Sequence, residues 1–149
     1  NSYEHNEVGN TIEDETGIIR MNDKRLKKLK YLQLEIAKLK PFSVYGKGKN
    51  LIVGWGSTKG AIIDALPELK NFKFLQISYL EPFPAREVEK EIKKAKRAVL
   101  IENNATGLLG KVISENTGLI LKDKVLRYDG RPFTVDYLSK EIFKLTRRK

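Results

Sequence analysis

Short strand-like runs alternate with segments of helical period from residue 51 onward, and that alternation limits what this chain can fold into. Leu51–Trp55 is a continuous apolar run, as a strand covered on both faces requires. Phe74–Leu80, Ala98–Glu102 and Lys124–Tyr128 read as three further strands. Between the first two lies a helix over about Lys59–Leu69, with Ser57 or Thr58 as its cap. Glu87–Lys96 predicts the next helix, with Val88, Ile92 and Ala95 inward. Asn103-Asn104-Ala105-Thr106 opens another, which carries Leu108, Leu109, Val112 and Ile113 on one face. Gly118 is placed to close it in the left-handed conformation. A last helix, about Thr134–Leu145, presents Leu138, Ile142 and Leu145. Glu81-Pro82-Phe83-Pro84 cannot continue a strand, and Asp129-Gly130-Arg131-Pro132 reads as a turn. Strand and helix in strict alternation imply an α/β fold, a three-layer open sheet with mostly parallel strands.

The stretch before this domain has a different character. Residues 1–19 hold Glu4, Glu7, Glu13, Asp14 and Glu15 and no Lys or Arg, which suggests an extended connector without a core. Residues 20–40 turn basic, with Leu29, Leu32, Ile36 and Leu39 at helical spacing, and Pro41 ends the pattern. We expect an amphipathic helix whose leucine stripe docks on another surface. The organisation is thus an arm over 1–41 and a domain over 42–149. Gly46-Lys47-Gly48-Lys49 is a short loop at the domain's start, and the tail Arg147-Arg148-Lys149 is expected to fray.

Composition excludes several chemistries. The chain has 149 residues, no cysteine and one histidine. Disulfides, thiolate nucleophiles, cysteine-ligated clusters and histidine-rich metal sites are therefore ruled out for it. His5, between Glu4 and Glu7, is too poor a ligand set for a metal. No apolar run approaches membrane-spanning length and no signal-peptide pattern opens the sequence, so the expectation is a cytoplasmic protein with no membrane partner. The net charge is +10, which attracts polyanions non-specifically. The basic residues carry no aromatic interleaving and no nucleic-acid motif, so no specific nucleic-acid partner is expected.

Two turns invite a functional reading. Gly54-Trp55-Gly56-Ser57-Thr58-Lys59-Gly60 follows a strand and opens a helix, where free amides, hydroxyls and a lysine could meet an anion. Its spacing is neither that of a P-loop nor that of the dinucleotide fingerprint, and a tight strand-to-helix turn also accounts for the glycines. Glu102-Asn103-Asn104-Ala105-Thr106-Gly107 sits at the end of the third strand, where ligands of open α/β sheets bind. Glu102 could serve there as acid or base, whereas Asn104 or Thr106 could simply cap the next helix. Arg131, on its turn, could hold a carboxylate or phosphate. The candidate ligand or partner contacts are therefore Gly54, Gly56, Ser57, Thr58, Lys59, Gly60, Glu102, Asn104, Thr106 and Arg131. No catalytic triad, carboxylate dyad or metal set emerges.

Five motifs in order also carry a resemblance. Glu4-His5-x-Glu7-x-Gly9 with Thr11-x-Glu13-Asp14, then Met21-x-x-Lys24-Arg25-x-x-Lys28-Leu29, resembles one stretch of the alpha subunits of 2-oxoacid:ferredoxin oxidoreductases. Leu51–Gly60, Glu81-Pro82-Phe83-Pro84, Glu102–Gly110 and Tyr128–Thr134 are similar to the segments that follow. The nearest flavour is the 2-oxoglutarate or broad 2-oxoacid branch, of archaeal type. The resemblance implies the transketolase carboxy-terminal-like domain, a five-stranded mixed sheet. The residues alone show four strands, so Phe42–Tyr45 or Gly118–Leu121 would supply the fifth. It implies that 1–41 leaves a preceding domain.

For the whole enzyme the resemblance implies thiamine diphosphate, Mg, an iron–sulfur cluster and CoA, none of them bound by this chain. It also implies a beta subunit, a second alpha subunit and ferredoxin as partners. The chain would be an assembly portion, inactive when isolated. The competing reading is an independent α/β module that binds a phosphorylated small molecule at Gly54–Gly60.

Overall fold

The computed structural model describes residues 3–147. They form two compact units, divided between Leu39 and Lys40.

In the first unit, β1 (Glu4–His5) and β2 (Thr11–Ile12) make a small antiparallel ribbon, followed by α1 (Glu15–Ile36). The connector is thus more structured than expected, and the helix starts five residues early. The reason is local. The Asp14 carboxylate accepts the Gly17 N–H (2.6 Å) and the Thr16 hydroxyl (2.9 Å), closing the first turn. Met21 is buried, and Arg25 donates to both oxygens of Glu4, tying helix to ribbon. Further along α1, Leu29 and Leu32 of the expected stripe remain substantially exposed, and Leu39 beyond it is exposed as well.

The second unit is a five-stranded sheet in the order β3-β5-β4-β6-β7. Its strands are β3 (Phe42–Gly46), β4 (Asn50–Trp55), β5 (Phe72–Ile77), β6 (Arg97–Glu102) and β7 (Asp123–Leu126). All neighbours pair parallel except β3, which runs antiparallel to β5 at the edge. The fifth strand is therefore the one at Phe42, and Gly118–Leu121 is not a strand. The helices are α2 (Lys59–Ala65), α3 (Ala85–Lys94), α4 (Leu108–Thr117) and α5 (Val135–Arg147). Arg147 ends α5, while Arg148 and Lys149 of the expected frayed tail lie outside the described residues.

Alternation along the strands divides the core into two layers. Ile52, Phe74, Val99 and Ile101 pack with Ile62 and Ala65 of α2 and with Leu138 and Ile142 of α5. Leu51, Val53, Leu75, Ile77 and Leu100 pack with Val88 of α3 and with Leu109 and Ile113 of α4. Helices thus cover both faces, as the apolar central strands demand. Gly118 closes α4 at φ +71°, as its position predicted. The second strand ends at Ile77 rather than Leu80, well before Glu81-Pro82, whose peptide bond is cis.

Candidate functional site

The sheet topology creates one crevice. β4 and β6 are parallel neighbours, but their carboxyl ends lead away from each other. From β4 the chain passes through a 3-10 turn, Gly56–Thr58, into α2 on one face. From β6 it enters α4 on the other face. Loops that diverge in this way open the place where α/β sheets bind ligands. Here Trp55, Gly56, Ser57, Thr58, Asn103 and Asn104 line a hollow of about 210 Å³. It adjoins a wider cleft of about 520 Å³, bordered by Ser57, Asn103, Arg127, Tyr128 and the turn carrying Arg131.

What the crevice holds is its own carboxylate. Glu102 ends β6 and is fully buried. Its Oε1 accepts the Leu109 N–H (2.9 Å), the Asn104 amide (2.9 Å) and the Trp55 indole N–H (3.3 Å). Its Oε2 accepts the Gly110 N–H at 3.4 Å. Asn104 Oδ1 accepts the N–H groups of Thr106, Gly107 and Leu108. The first amides of α4, which would otherwise meet an external anion, are thus satisfied from within. Asn104 is the expected cap. The Thr106 side chain takes no part in it, and Glu102 takes the next two amides, Leu109 and Gly110, with its carboxylate turned inward.

The other turn is similarly self-contained. Gly54 is buried, and a Cβ there would lie 3.0 Å from both Ile62 Cδ1 and Thr58 Oγ1. Gly56 adopts φ +56°, which favours glycine. A Cβ at Gly60, in α2, would meet no neighbour, so no close approach requires glycine there. Thr58 is buried and donates its hydroxyl to the Trp55 carbonyl (2.8 Å) instead of capping α2. The Lys59 ammonium sits over the Tyr45 ring, 5.4 Å from its centroid, away from the crevice. The same ammonium holds the Tyr45 phenol below its ordinary range. Of the candidate residues, the structure brings Gly56, Ser57, Thr58 and Asn104 together around the smaller hollow. Ser57 and Arg131 meet across the wider cleft. Lys59, Gly60 and Thr106 line neither.

Arg131 owes its position to a neighbour that the motif reading passed over. Arg127 Nε donates to Asp129 (2.9 Å) and its Nη1 to the Pro132 carbonyl (2.7 Å), while its guanidinium stacks 4.4 Å from the Tyr137 centroid. Asp129 in turn accepts the Arg131 N–H at 3.0 Å. The Arg127 guanidinium, more than that N–H, holds the Asp129 carboxyl below its usual range. Asn103 reaches the Arg131 carbonyl at 3.4 Å. The Arg131 side chain is exposed and meets no carboxylate among the described residues. The expected strand Lys124–Tyr128 hides Arg127 within it, whereas β7 ends at Leu126 and leaves Arg127 at the mouth of the cleft.

The comparisons with known proteins bear on what such a domain belongs to. No protein-family model matches the chain. The alpha subunit of 2-oxoacid:ferredoxin oxidoreductase 1 from Sulfurisphaera tokodaii is 34% identical over 146 residues, covering 95% of this chain and 23% of the relative. The alpha subunit from Saccharolobus solfataricus is 34% identical over 145 residues, covering 93% of this chain and 23% of that protein. The chain is a homologue of the C-terminal portion of these alpha subunits. This homologue spans just under a quarter of their length. A 2-oxoglutarate:ferredoxin oxidoreductase from Magnetococcus marinus, solved with 2-oxoglutarate, coenzyme A and succinyl-CoA bound, superposes with a TM-score of 0.74 at 24% identity. That match covers 97% of the alpha-subunit homologue and 26% of the solved chain. A split-gene transketolase, solved as an inactive beta4 tetramer, gives 0.59 at 18% identity over 74% of the homologue and 44% of that chain. These two likenesses speak for the fold, a transketolase-like α/β domain.

Proposed function

We propose that the chain is the assembly domain of the alpha subunit of a 2-oxoacid:ferredoxin oxidoreductase of archaeal type. In this reading the complete complex is cytoplasmic. It uses thiamine diphosphate to decarboxylate a 2-oxoacid oxidatively, passes the electrons to ferredoxin and transfers the acyl group to CoA. The chain itself contributes contacts to a beta subunit and a second alpha subunit and does not turn over substrate when isolated. Residues 1–41 would connect to the preceding domain, with 42–149 as the transketolase-like domain.

One observation carries the assembly role: the anion position at the strand ends is filled by Glu102. With the α4 amides bound to Glu102 and Asn104, and Lys59 on Tyr45, the crevice does not fit a diphosphate or phosphate ester. Among the described residues no cluster of three His, Cys, Asp or Glu is arranged to hold a metal, and a chain without cysteine supplies no cluster thiolates. What remains outward at this end is Ser57, Asn103 and Arg131, a set suited to a carboxylate of a neighbouring subunit.

The test uses the polypeptide that contains these residues, tagged and purified with whatever accompanies it. We expect a co-purifying subunit and CoA-dependent reduction of a viologen dye driven by a 2-oxoacid. Arg131→Glu should lower the amount of retained subunit without changing the melting temperature. A folded preparation with no partner and no activity would favour the phosphate-binding module, which a phosphate-dependent melting shift lost in Lys59→Ala would then establish.

A further inference from the structure

The end of the sheet opposite the crevice carries a separate feature. The strand registers place Asn50 beside Phe72 on one side and beside Arg97 on the other. The residues just before these strands, Lys49, Lys70-Asn71 and Lys96, therefore come together. The grouping is rigid. Lys96 N–H donates to the Lys49 carbonyl (2.8 Å), and Lys49 N–H donates to Asn71 Oδ1 (2.9 Å). Asn71 sits at φ +74°, a conformation that asparagine tolerates better than most residues. Gly48 lets the loop from β3 to β4, which crosses the end of β5, lie directly on it, since a Cβ there would clash with the Asn71 backbone.

On this platform Lys47, Lys49, Lys70 and Lys96 are all exposed. None forms an ion pair among the described residues. Nearby carboxylates are already engaged, Glu91 by Lys73 and Lys94, and Asp123 by Arg97. Lys96 borders an open hollow of about 430 Å³ that is also lined by Asn50, Asn71, Arg97 and Thr146, the residues beside Lys49 and Lys70 in the chain among them. The charge of the whole chain points the same way. Residues 1–39 hold seven Lys and Arg against seven Asp and Glu, whereas residues 40–149 hold 22 against 12. The entire excess of +10 thus belongs to this unit.

We propose that this lysine-rich end, built by the β3–β4 loop and the starts of β5 and β6, docks an acidic protein surface. A protein fits better than a nucleic acid. Lys47, Lys49, Lys70 and Lys96 are point charges without the planar fork of arginine, and the aromatic ring at the start of β5, Phe72, is buried and cannot stack a base. The amide-lined hollow admits carboxylate side chains. This inference does not depend on the oxidoreductase reading, since it specifies only the chemistry of the partner.

The test compares two variants of equal charge. One carries Lys47→Glu, Lys49→Glu, Lys70→Glu and Lys96→Glu. The other carries Arg86→Glu, Lys111→Glu, Lys124→Glu and Lys140→Glu, on other surfaces of the unit. Binding of poly-L-glutamate and of a mixed-sequence DNA duplex is measured at about 0.1 M salt, where charges still act over roughly 10 Å. We expect the first variant to lose poly-glutamate binding by about tenfold or more and the second by less than about threefold. Equal losses would show that net charge alone matters and overturn the proposal. Tighter binding of DNA than of poly-glutamate, lost in the first variant only, would overturn it in favour of nucleic acid. Should the glutamate variant melt early, the matching four-lysine-to-glutamine variant gives the same comparison with milder electrostatics.

Discussion

At the scale of single residues, Glu102 shows how burial changes the meaning of a side chain. A carboxylate at the end of a central strand reads as chemistry, yet with no exposure and four donors around it the group is a helix cap and an anchor for Trp55. Hydrogen bonds to a charged acceptor are worth more than neutral ones, and buried donors left without a partner are costly. Glu102→Ala should therefore cost on the order of 3 kcal/mol, read as a lower midpoint in urea. Trp55 is the single tryptophan, so the same titration should show its emission shifted to the red in the native baseline. An unchanged midpoint would mean that solvent already satisfies the α4 amides. Glu102 and Asn104 could be placed at this strand end by pattern alone, but their inward hydrogen bonding could not. It depends on how closely Gly107 and Gly110 let α4 approach Leu100.

At the scale of elements, the ribbon and α1 illustrate a local signal that was present but unread. Asp14-Glu15-Thr16-Gly17 is a capping sequence, and it starts α1 in a stretch whose acidity suggested a connector. Ribbon and helix are tied by charge. The Arg25 guanidinium, aided by the His5 N–H, pulls Glu4 from its ordinary value of 4.5 to about 2. A carboxylate whose folded-state pKa is depressed contributes stability above its unfolded value, and this is lost as the pH falls through the folded one. The contact should hold at pH 5 and above and loosen between about 4.5 and 2. An NMR titration of the Glu4 carboxyl carbon checks this. Arg25→Ala should return its midpoint towards 4.5, and a midpoint that stayed low would reassign the effect to the backbone.

For the molecule as a whole, both core layers draw only on residues from Phe42 onward. The sheet has helices on both faces and leaves none of its central strands bare. A chain limited to residues 40–149 should consequently fold by itself and unfold cooperatively, with a midpoint within a few tenths of a molar of the parent in urea. Non-cooperative melting of that piece would mean that the first unit completes the core. The two ends of this unit then serve different ends. One is sealed by Glu102 and offers Arg131. The other is an unneutralised lysine platform.

The sequence by itself determined the alternation of elements, the apolar strands that need cover on both faces, and the turns at Gly118 and at Asp129–Pro132. These depend on interactions within a few residues, where periodicity and turn chemistry decide. It also carried the relationship to the alpha subunits, through motifs kept in order along the chain. Tertiary structure decided the rest. Phe42–Gly46 became a strand because β5 offered it an antiparallel edge, and no local signal separated it from Gly118–Leu121. Lys59 turned to Tyr45, Glu102 turned inward, and lysines distant in sequence met at one end of the sheet. Each of these outcomes follows from strand register and close packing, which bring residues far apart in the chain within reach of one another.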